Sequence, residues 1–205
     1  MAVSTAKENI LERIRQALLT PVPLPFPLID NNLPVFPPPQ DALELVFAEE
    51  FTKLQGKFVF CINEQELIQQ VQQLVSLKQW NKLYCSDTKW SGIFGATDDL
   101  AGCDASVTGC DYLVARTGSI LLSAALQQGR TASVYAPVHI CIAYNHQLVF
   151  DIKEALIALQ NRYQDNMPSF ITLASGPSRT ADIEKTLVTG VHGPKEVYLF
   201  LVDSQ

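Results

Sequence analysis

Long apolar runs, paired cysteines and a surplus of basic residues are all absent from this 205-residue sequence. No apolar run reaches the roughly 20 residues that a membrane-spanning helix needs, and the first residues lack the apolar core of a signal peptide. Acidic residues outnumber basic ones by 21 to 15, and the resulting net charge of −6 argues against nucleic acid as the main partner. We therefore expect a cytoplasmic protein with no membrane span and no nucleic-acid partner.

Metal-binding and catalytic signatures are also missing. The five cysteines form no C-x-x-C pair, and their odd number fits reduced thiols in a cytoplasm. No H-x-x-x-H or paired-carboxylate spacing predicts a metal site, and no cofactor is expected on this chain alone. The sequence lacks G-x-S-x-G, a Walker loop and G-x-G-x-x-G, which removes the commonest hydrolase, NTPase and dinucleotide-binding interpretations.

What the sequence does contain is enough apolar material for a folded core, since 47% of its residues are hydrophobic and 18% are charged. After Gly56, strand-like apolar runs alternate with helical patterns, and Asn63 has the chemistry of a helix N-cap. The run 197–202 is apolar throughout, as expected for a strand covered on both faces. This alternation predicts an α/β domain over residues 41–205, with a mostly parallel sheet flanked by helices.

Residues 1–40 are expected to form a separate N-terminal helix and a proline-rich arm. Thr5 and Glu8 have the spacing of a capping box, and an amphipathic pattern follows them. Eight of the twelve prolines then fall within residues 21–39, which excludes a helix there. The apolar face of the helix must pack on its own domain, on a neighbouring subunit or on a partner; the first alternative is favoured.

The most informative segment is a strand-like run that ends in the small-residue turn Ser175–Ser178, followed by Arg179 and Thr180 and an expected helix. At the end of a strand, such a turn offers backbone N–H groups, hydroxyl groups and a guanidinium to an anion. The alternative is that Thr180 is only the N-cap of that helix, with the acidic residues after it complementing the helix dipole. Residue chemistry leaves both interpretations open.

Other polar residues lie in comparable settings. Thr117–Ser119 forms a Gly-containing turn, and Arg130 is a second possible cation, although a tight turn and a surface arginine are the favoured interpretation of the sequence alone. Asp111 adjoins an apolar strand and needs a partner or a role. His139 and His192 have the chemistry of a base or a metal ligand, although no ligand spacing in the sequence supports a metal. The candidate ligand contacts are Asp111, Thr117, Gly118, Ser119, Arg130, His139, Gly176, Ser178, Arg179, Thr180 and His192.

Several segments in the last half of the chain resemble, in order, the lactate utilization protein C family. They are Ser106–Asp111, Ala115–Ser119, Gly129–Arg130, Pro137–His139, Ser175–Glu184 and Gly190–Lys195. The resemblance implies a LUD domain, similar in fold to the ribose-5-phosphate isomerase, glucosamine-6-phosphate deaminase and CoA-transferase group. It also implies an accessory subunit in the oxidation of L-lactate to pyruvate, which binds a small anionic ligand and works with partner subunits that carry the iron–sulfur clusters.

One position departs from the family pattern. Arg116 stands before the Thr-Gly pair where the resemblance leads us to expect an acidic residue. Two alternatives to the lactate role therefore stay open: an independent enzyme acting on a sugar phosphate or CoA ester, and a binding or assembly module without catalysis. In each case we expect Thr117–Ser119 and Ser178–Thr180 to converge on one pocket, because open α/β sheets gather ligands at the carboxyl ends of their strands.

Overall fold

The computed structural model describes residues 6–19, 36–95, 97–126, 130–183 and 186–203. The chain divides into two compact units, residues 1–37 and 38–205. The first unit contains helix α1 (Ala6–Leu18), as expected from its amphipathic pattern. The predicted cap at Thr5 and the proline-rich residues 20–35 lie outside the described residues.

The second unit alternates strands and helices. Its strands are β1 (Lys57–Cys61), β2 (Leu83–Cys85), β3 (Ala105–Thr108), β4 (Tyr112–Val114), β5 (Ser119–Ser123), β6 (Val138–Tyr144), β7 (Leu148–Val149), β8 (Ile171–Ala174), β9 (Arg179–Ile183), β10 (Thr186–Thr189) and β11 (Glu196–Val202). Its helices are α2 (Leu43–Lys53), α3 (Glu64–Lys78), α4 (Thr88–Phe94), α5 (Ala132–Tyr135) and α6 (Ile152–Tyr163).

Five strands form a central parallel sheet in the order β1-β11-β6-β3-β2. The predicted α/β fold with a mostly parallel sheet flanked by helices is confirmed. On one face of the sheet, α3 and α4 bury apolar side chains such as Leu67, Val71 and Trp90 against Ile140 and Phe200. The apolar character of β6 and β11 follows from this position, because both strands are covered on both faces.

A second, four-stranded sheet covers the opposite face. Its order is β7-β4-β5-β8, with antiparallel pairing of β5 to both β4 and β8 and parallel pairing of β4 to β7. Ile120 and Leu122 of β5 pack between the two sheets with Phe47 and Phe51 of α2. The alternating residue Leu121 packs instead with α6 on the outer face. The chain therefore has layered cores on both sides of each sheet.

Local capping signals explain several helix boundaries. The side chain of Asn63 accepts a hydrogen bond from the N–H of Glu66 at 2.9 Å, so the predicted cap of α3 is confirmed. Asp151 likewise accepts from the N–H of Lys153 at the start of α6. At α2, however, the N-cap position belongs to Ala42, whose side chain cannot accept a hydrogen bond.

The helix expected after Thr180 is wrong. Residues 179–183 form β9, which pairs with β10 in an antiparallel hairpin that places Thr180 opposite Val188 and Arg179 opposite Thr189. The sequence following Thr180 has helix-start chemistry. Its backbone groups pair instead with those of β10, a segment rich in β-branched residues, which favour strands. Thr180 is therefore not a helix N-cap. The side chain of Asp182 and all of Glu184 lie outside the described residues.

No helix within the described ranges combines the length and apolar character that crossing a bilayer requires.

Candidate functional site

The two glycine-containing turns approach the carboxyl end of α2. Gly118 has φ +55°, and a Cβ added there would lie 2.5 Å from the backbone N of Phe51. Gly176 has φ +79°, and its added Cβ would lie 2.4 Å from the carbonyl oxygen of Leu54. In both turns the glycine thus permits close contact with the protein's own helix, where sequence reasoning expected the approach of a ligand.

The same turns are joined by a pair of hydroxyl groups. Ser119 Oγ and Ser175 Oγ lie 2.7 Å apart, and Ser119 Oγ also donates to the carbonyl of Thr117 at 3.3 Å. The adjacent Thr117 Oγ1 is buried and has no hydrogen-bond partner among the described residues. The structure therefore brings Thr117, Gly118, Ser119 and Gly176 together in one small polar region.

Backbone hydrogen bonds connect Ser178 to a second region. The N–H of Ser178 donates to the carbonyl of Pro194, and the Ser178 carbonyl accepts from Gly190, each at 2.9 Å. The N–H of Lys195 then donates to the carbonyl of Pro137 at 2.8 Å, directly before β6. These contacts lie at the amino ends of β6 and β11. The sequence led us to expect the site at the carboxyl ends of the parallel strands, which are the opposite ends of these strands.

His139 is the second residue of β6 and is fully buried. Its Nε2 lies 2.8 Å from Thr108 Oγ1 of the neighbouring strand β3, whereas its Nδ1 has no hydrogen-bond partner among the described residues. Burial lowers the pKa of His139 to about 4, so the imidazole is neutral near pH 7. A neutral imidazole with one unsatisfied nitrogen can donate to, or accept from, one further polar group.

Asp111 is held beneath the carboxyl end of α6. Its Oδ1 accepts from Tyr163 Oη at 2.9 Å and from an Arg162 nitrogen at 3.4 Å. The carboxylate is fully buried, and Oδ2 lacks a partner within the described part of the chain. The partner that the sequence demanded is thus supplied by α6, which gives Asp111 a structural role in fixing that helix.

The remaining charged candidates lie at the surface. Arg130 donates to Ser169 Oγ at 3.0 Å, two residues before β8, whereas Ser175 directly follows the other end of this strand. Arg179 and His192 are exposed, and no ion pair links Arg179 to another residue of the described ranges. The structure therefore separates Arg130 from the Ser119–Ser175 pair, while Arg179 directly follows Ser178.

Arg116 has an intramolecular partner. Its Nε donates to Asp151 Oδ2 at 2.7 Å, and its backbone N–H donates to the carbonyl of Phe150 at 3.0 Å. The backbone N–H of Lys153 lowers the pKa of Asp151, and the Arg116 guanidinium lowers it further. This arginine therefore links the turn before β5 to the amino end of α6.

Sequence reasoning missed two residues that complete these regions. Thr108 fixes one nitrogen of His139, and Ser175 pairs with Ser119. Thr108 and His139 are 31 residues apart, so only the register of β3 against β6 brings them together. Ser175 was visible as part of a turn, but its hydroxyl partner depends on the pairing of β5 with β8.

Within the described ranges, no three histidine, cysteine or acidic side chains cluster in a way that could hold a metal ion. All five cysteines are free thiols. Burial raises the pKa of Cys61 to about 11 and that of Cys85 to about 12, so both are protonated near pH 7.

A family model for the LUD domain matches residues 94–202, a range that contains the His139, Ser119 and Ser178 regions. The match covers more than half of the chain. The chain belongs to the LUD domain family.

Several relatives of this LUD protein carry the same name, and others are uncharacterized. A lactate utilization protein C of Deinococcus radiodurans is 36% identical over 105 residues, which are 51% of this chain and 49% of the relative. That of Halalkalibacterium halodurans is 33% identical over 104 residues, covering 50% and 45%. An uncharacterized protein of Neisseria meningitidis serogroup B is 32% identical over 106 residues, covering 52% and 45%. The chain thus spans about half the length of the curated relatives it matches.

A solved structure has the same fold. The crystal structure of a DUF162 family protein from Deinococcus radiodurans matches with a TM-score of 0.59 and 20% identity, covering 81% of this chain and 99% of that one. At this identity the likeness concerns the fold alone.

Proposed function

We propose that this LUD protein takes part in lactate utilization and binds a small carboxylate, with His139 as a ligand-contacting residue. The family supports the first part, because several relatives are named lactate utilization protein C. The observation that carries the second part is the unsatisfied Nδ1 of a fully buried, neutral imidazole. A buried polar atom without a partner costs free energy, and a ligand that supplies the partner removes this cost.

The chemistry of His139 fits a 2-hydroxy or 2-oxo acid. In one tautomer, Thr108 donates to Nε2 and the Nδ1–H donates to a carboxylate or keto oxygen. In the other, the Nε2–H donates to Thr108 and Nδ1 accepts from the hydroxyl group of lactate. Both tautomers leave one directional hydrogen bond for the ligand. Because the imidazole is enclosed, we expect binding to require a local opening and to proceed slowly.

The cation of the proposed site is Arg179. It follows Ser178, whose backbone is hydrogen-bonded to the loop before β11, and it is not engaged in an ion pair with any described residue. A planar guanidinium binds a carboxylate through two charge-assisted hydrogen bonds. In contrast, Arg116 is already bound to Asp151 and Arg130 lies against Ser169, so neither is the first choice.

We further propose that the protein is a cytoplasmic accessory subunit of an L-lactate-oxidising system whose iron–sulfur clusters lie on partner proteins. This proposal rests on the family resemblance and on the chain's cysteine usage. The five free cysteines contain no closely spaced ligand motif, and the described residues form no metal-ligating cluster. The electrons removed from lactate would then pass to clusters held by a partner subunit.

A genetic test addresses the pathway. The gene is deleted in its host, and growth on L-lactate as the sole carbon source is compared with growth on glucose. We expect loss of growth on lactate only, with restoration by the wild-type gene and by Lys82→Gln, an exposed control outside the candidate ligand contacts. Unimpaired growth on lactate in a strain without a paralogue would contradict the lactate role.

A binding test addresses the site separately. Purified full-length protein with ¹⁵N-labelled histidine is titrated with L-lactate, pyruvate and ribose 5-phosphate, and the imidazole nitrogens are observed by NMR. We expect lactate or pyruvate to shift the His139 Nδ1 resonance and Arg179→Gln to weaken binding at least tenfold. A response to ribose 5-phosphate alone would favour the sugar-phosphate alternative, and no His139 response to any ligand would remove this residue from the site.

A further inference from the structure

β1 lies at one edge of the parallel sheet, and within the described residues it pairs only with β11. The carbonyl of Cys61 accepts from the N–H of Asp203, so Cys61 directs its backbone towards β11. The next N–H, of Ile62, is bound by the Glu66 carboxylate at 2.8 Å. Backbone groups alternate in direction along a strand. Phe58 and Phe60 therefore direct their N–H and C=O groups away from β11, in the plane of the sheet.

Apolar surface lies on both sides of this free edge. A cleft of about 360 Å³ between α2 and β1 includes Leu45 and Phe60, which are 61% and 46% exposed. A groove of about 250 Å³ on the α3 side includes Val59, Leu74 and Leu77, and Leu77 is 78% exposed. An unpaired strand edge between two apolar grooves is the geometry that strand addition from another chain uses.

The charges beside the edge are arranged in a gradient. α2 and α3 both run antiparallel to β1, because Leu45 contacts the cleft near Asp203 and Lys78 reaches Glu196 at the start of β11. Each helix carries acidic residues in its first turn, Glu44 and Glu64, and a lysine in its last turn. The carboxyl end of β1 is therefore flanked by acidic residues, and its amino end by lysines that pair with Glu50 and Glu196 of the same chain.

We propose that this edge binds a second copy of the chain, with the two β1 strands antiparallel about a two-fold axis at Val59. This register places Phe58 of each copy opposite Phe60 of the other, so that their outward backbone groups form four hydrogen bonds. A register centred on Phe60 would use Ile62, whose N–H is already bound by Glu66. The two parallel sheets become one continuous sheet of ten strands.

The antiparallel arrangement also matches the charges and the helices. It brings the acidic end of α2 in one copy towards Lys53 of the other, which pairs with Glu50 of its own helix, and it keeps the two acidic ends apart. α3 contacts both β1 and β11. With strands about 4.8 Å apart, the two α3 axes come to lie about 10 Å apart, which is a normal helix-packing distance. Leu74 and Leu77 are then covered. A second copy therefore satisfies the backbone, the apolar grooves and the charges together.

Sedimentation equilibrium of the full chain tests the proposal. We expect twice the 22.7 kDa mass of one chain. Phe60→Lys should weaken the dimer by roughly 30-fold or more, the size of an interface hot spot. Leu156→Lys is the matched control, because Leu156 on α6 is also 46% exposed, and this variant should remain dimeric. Circular dichroism confirms that both variants are folded. A monomeric wild type, or a dimer unaffected by Phe60→Lys, would overturn the proposal.

A charge exchange tests the orientation of the strands. Glu44→Lys and Lys53→Glu should each weaken self-association, because each homodimer then brings like charges together at the ends of α2. Mixing the two variants should restore association, since every facing pair in the heterodimer is again of opposite sign. Native mass spectrometry with one isotopically labelled variant measures the heterodimer. Homodimers as stable as the heterodimer would refute the antiparallel arrangement.

Discussion

Arg116 and Asp151 form a partly buried ion pair in which Nε lies 2.7 Å from Oδ2. The pair links the turn before β5 to the first turn of α6, and it occurs where the family resemblance led us to expect an acidic residue. An acidic side chain there would face Asp151 with like charge. Arg116, which departs from the family pattern, therefore binds the residue that caps α6, Asp151.

Replacing the guanidinium should destabilise the protein through this contact. We expect Arg116→Gln to lose roughly 1 kcal/mol of unfolding free energy at pH 7 and Arg116→Glu to lose more. The pKa of Asp151 is lowered by the backbone N–H of Lys153 and by Arg116, so their contribution is present above about pH 4 and is lost as the pH falls through the lowered pKa.

Urea denaturation at pH 7 and at successively lower pH measures this difference. Lys82→Gln is the control, because the exposed Lys82 side chain forms no ion pair with a described residue. Equal stability of wild type and Arg116→Gln at pH 7 would show that the contact contributes nothing.

His139 should impose a pH dependence on stability. Burial lowers its pKa in the folded protein to about 4, against about 6.5 in the unfolded chain. Between these values the unfolded chain binds a proton that the folded protein excludes, so the protein loses stability as the pH falls. The loss across this window is on the order of 3 kcal/mol, and none of it is present above about pH 6.5.

Unfolding titrations at pH 7, 6 and 5 in wild type, His139→Gln and Leu156→Ala test this expectation. His139→Gln should lower stability at pH 7 but flatten the pH dependence, whereas replacing Leu156, an exposed apolar residue of α6, should leave the slope unchanged. A wild-type slope that persists in His139→Gln would assign the pH dependence to other groups.

Alanine substitutions at three glycines distinguish the stability cost of steric contact from that of a positive φ. Gly118 combines φ +55° with the close approach of Phe51, and Gly118→Ala should cost about 2–4 kcal/mol of unfolding free energy. Gly95 has φ +65° but open space around its Cβ position, so Gly95→Ala should cost about 1 kcal/mol. Gly92 lies within α4 with neither constraint, and Gly92→Ala should gain up to about 1 kcal/mol.

Thermal unfolding of the three alanine variants establishes their order. If Gly118→Ala and Gly95→Ala are equally destabilised, the contact between the Thr117–Ser119 turn and α2 is not tight, and conformational strain alone explains the need for glycine. If Gly92→Ala is as destabilising as Gly118→Ala, the contact of Gly118 with Phe51 does not explain the loss of stability.

Local sequence determined much of the secondary structure. The side chains of Asn63 and Asp151 cap their helices because an N-cap needs only an acceptor within a few residues of free N–H groups. The uniform apolar character of β11 predicted a strand covered on both faces. The class of fold followed from the alternation of such elements, since a parallel sheet needs helical crossovers.

Only the tertiary structure decided the rest, because it depends on contacts between distant residues. The segment after Thr180 became β9 because β10 supplies its hydrogen bonds, a long-range gain that outweighs local helix-start chemistry. Gly118 and Gly176 are required by α2, more than 60 residues away in the chain. His139 acquires its neutral state from burial and its partner Thr108 from the register of β3 against β6. The sequence thus determined which side chains are polar, and only packing decided which of their atoms remain unsatisfied.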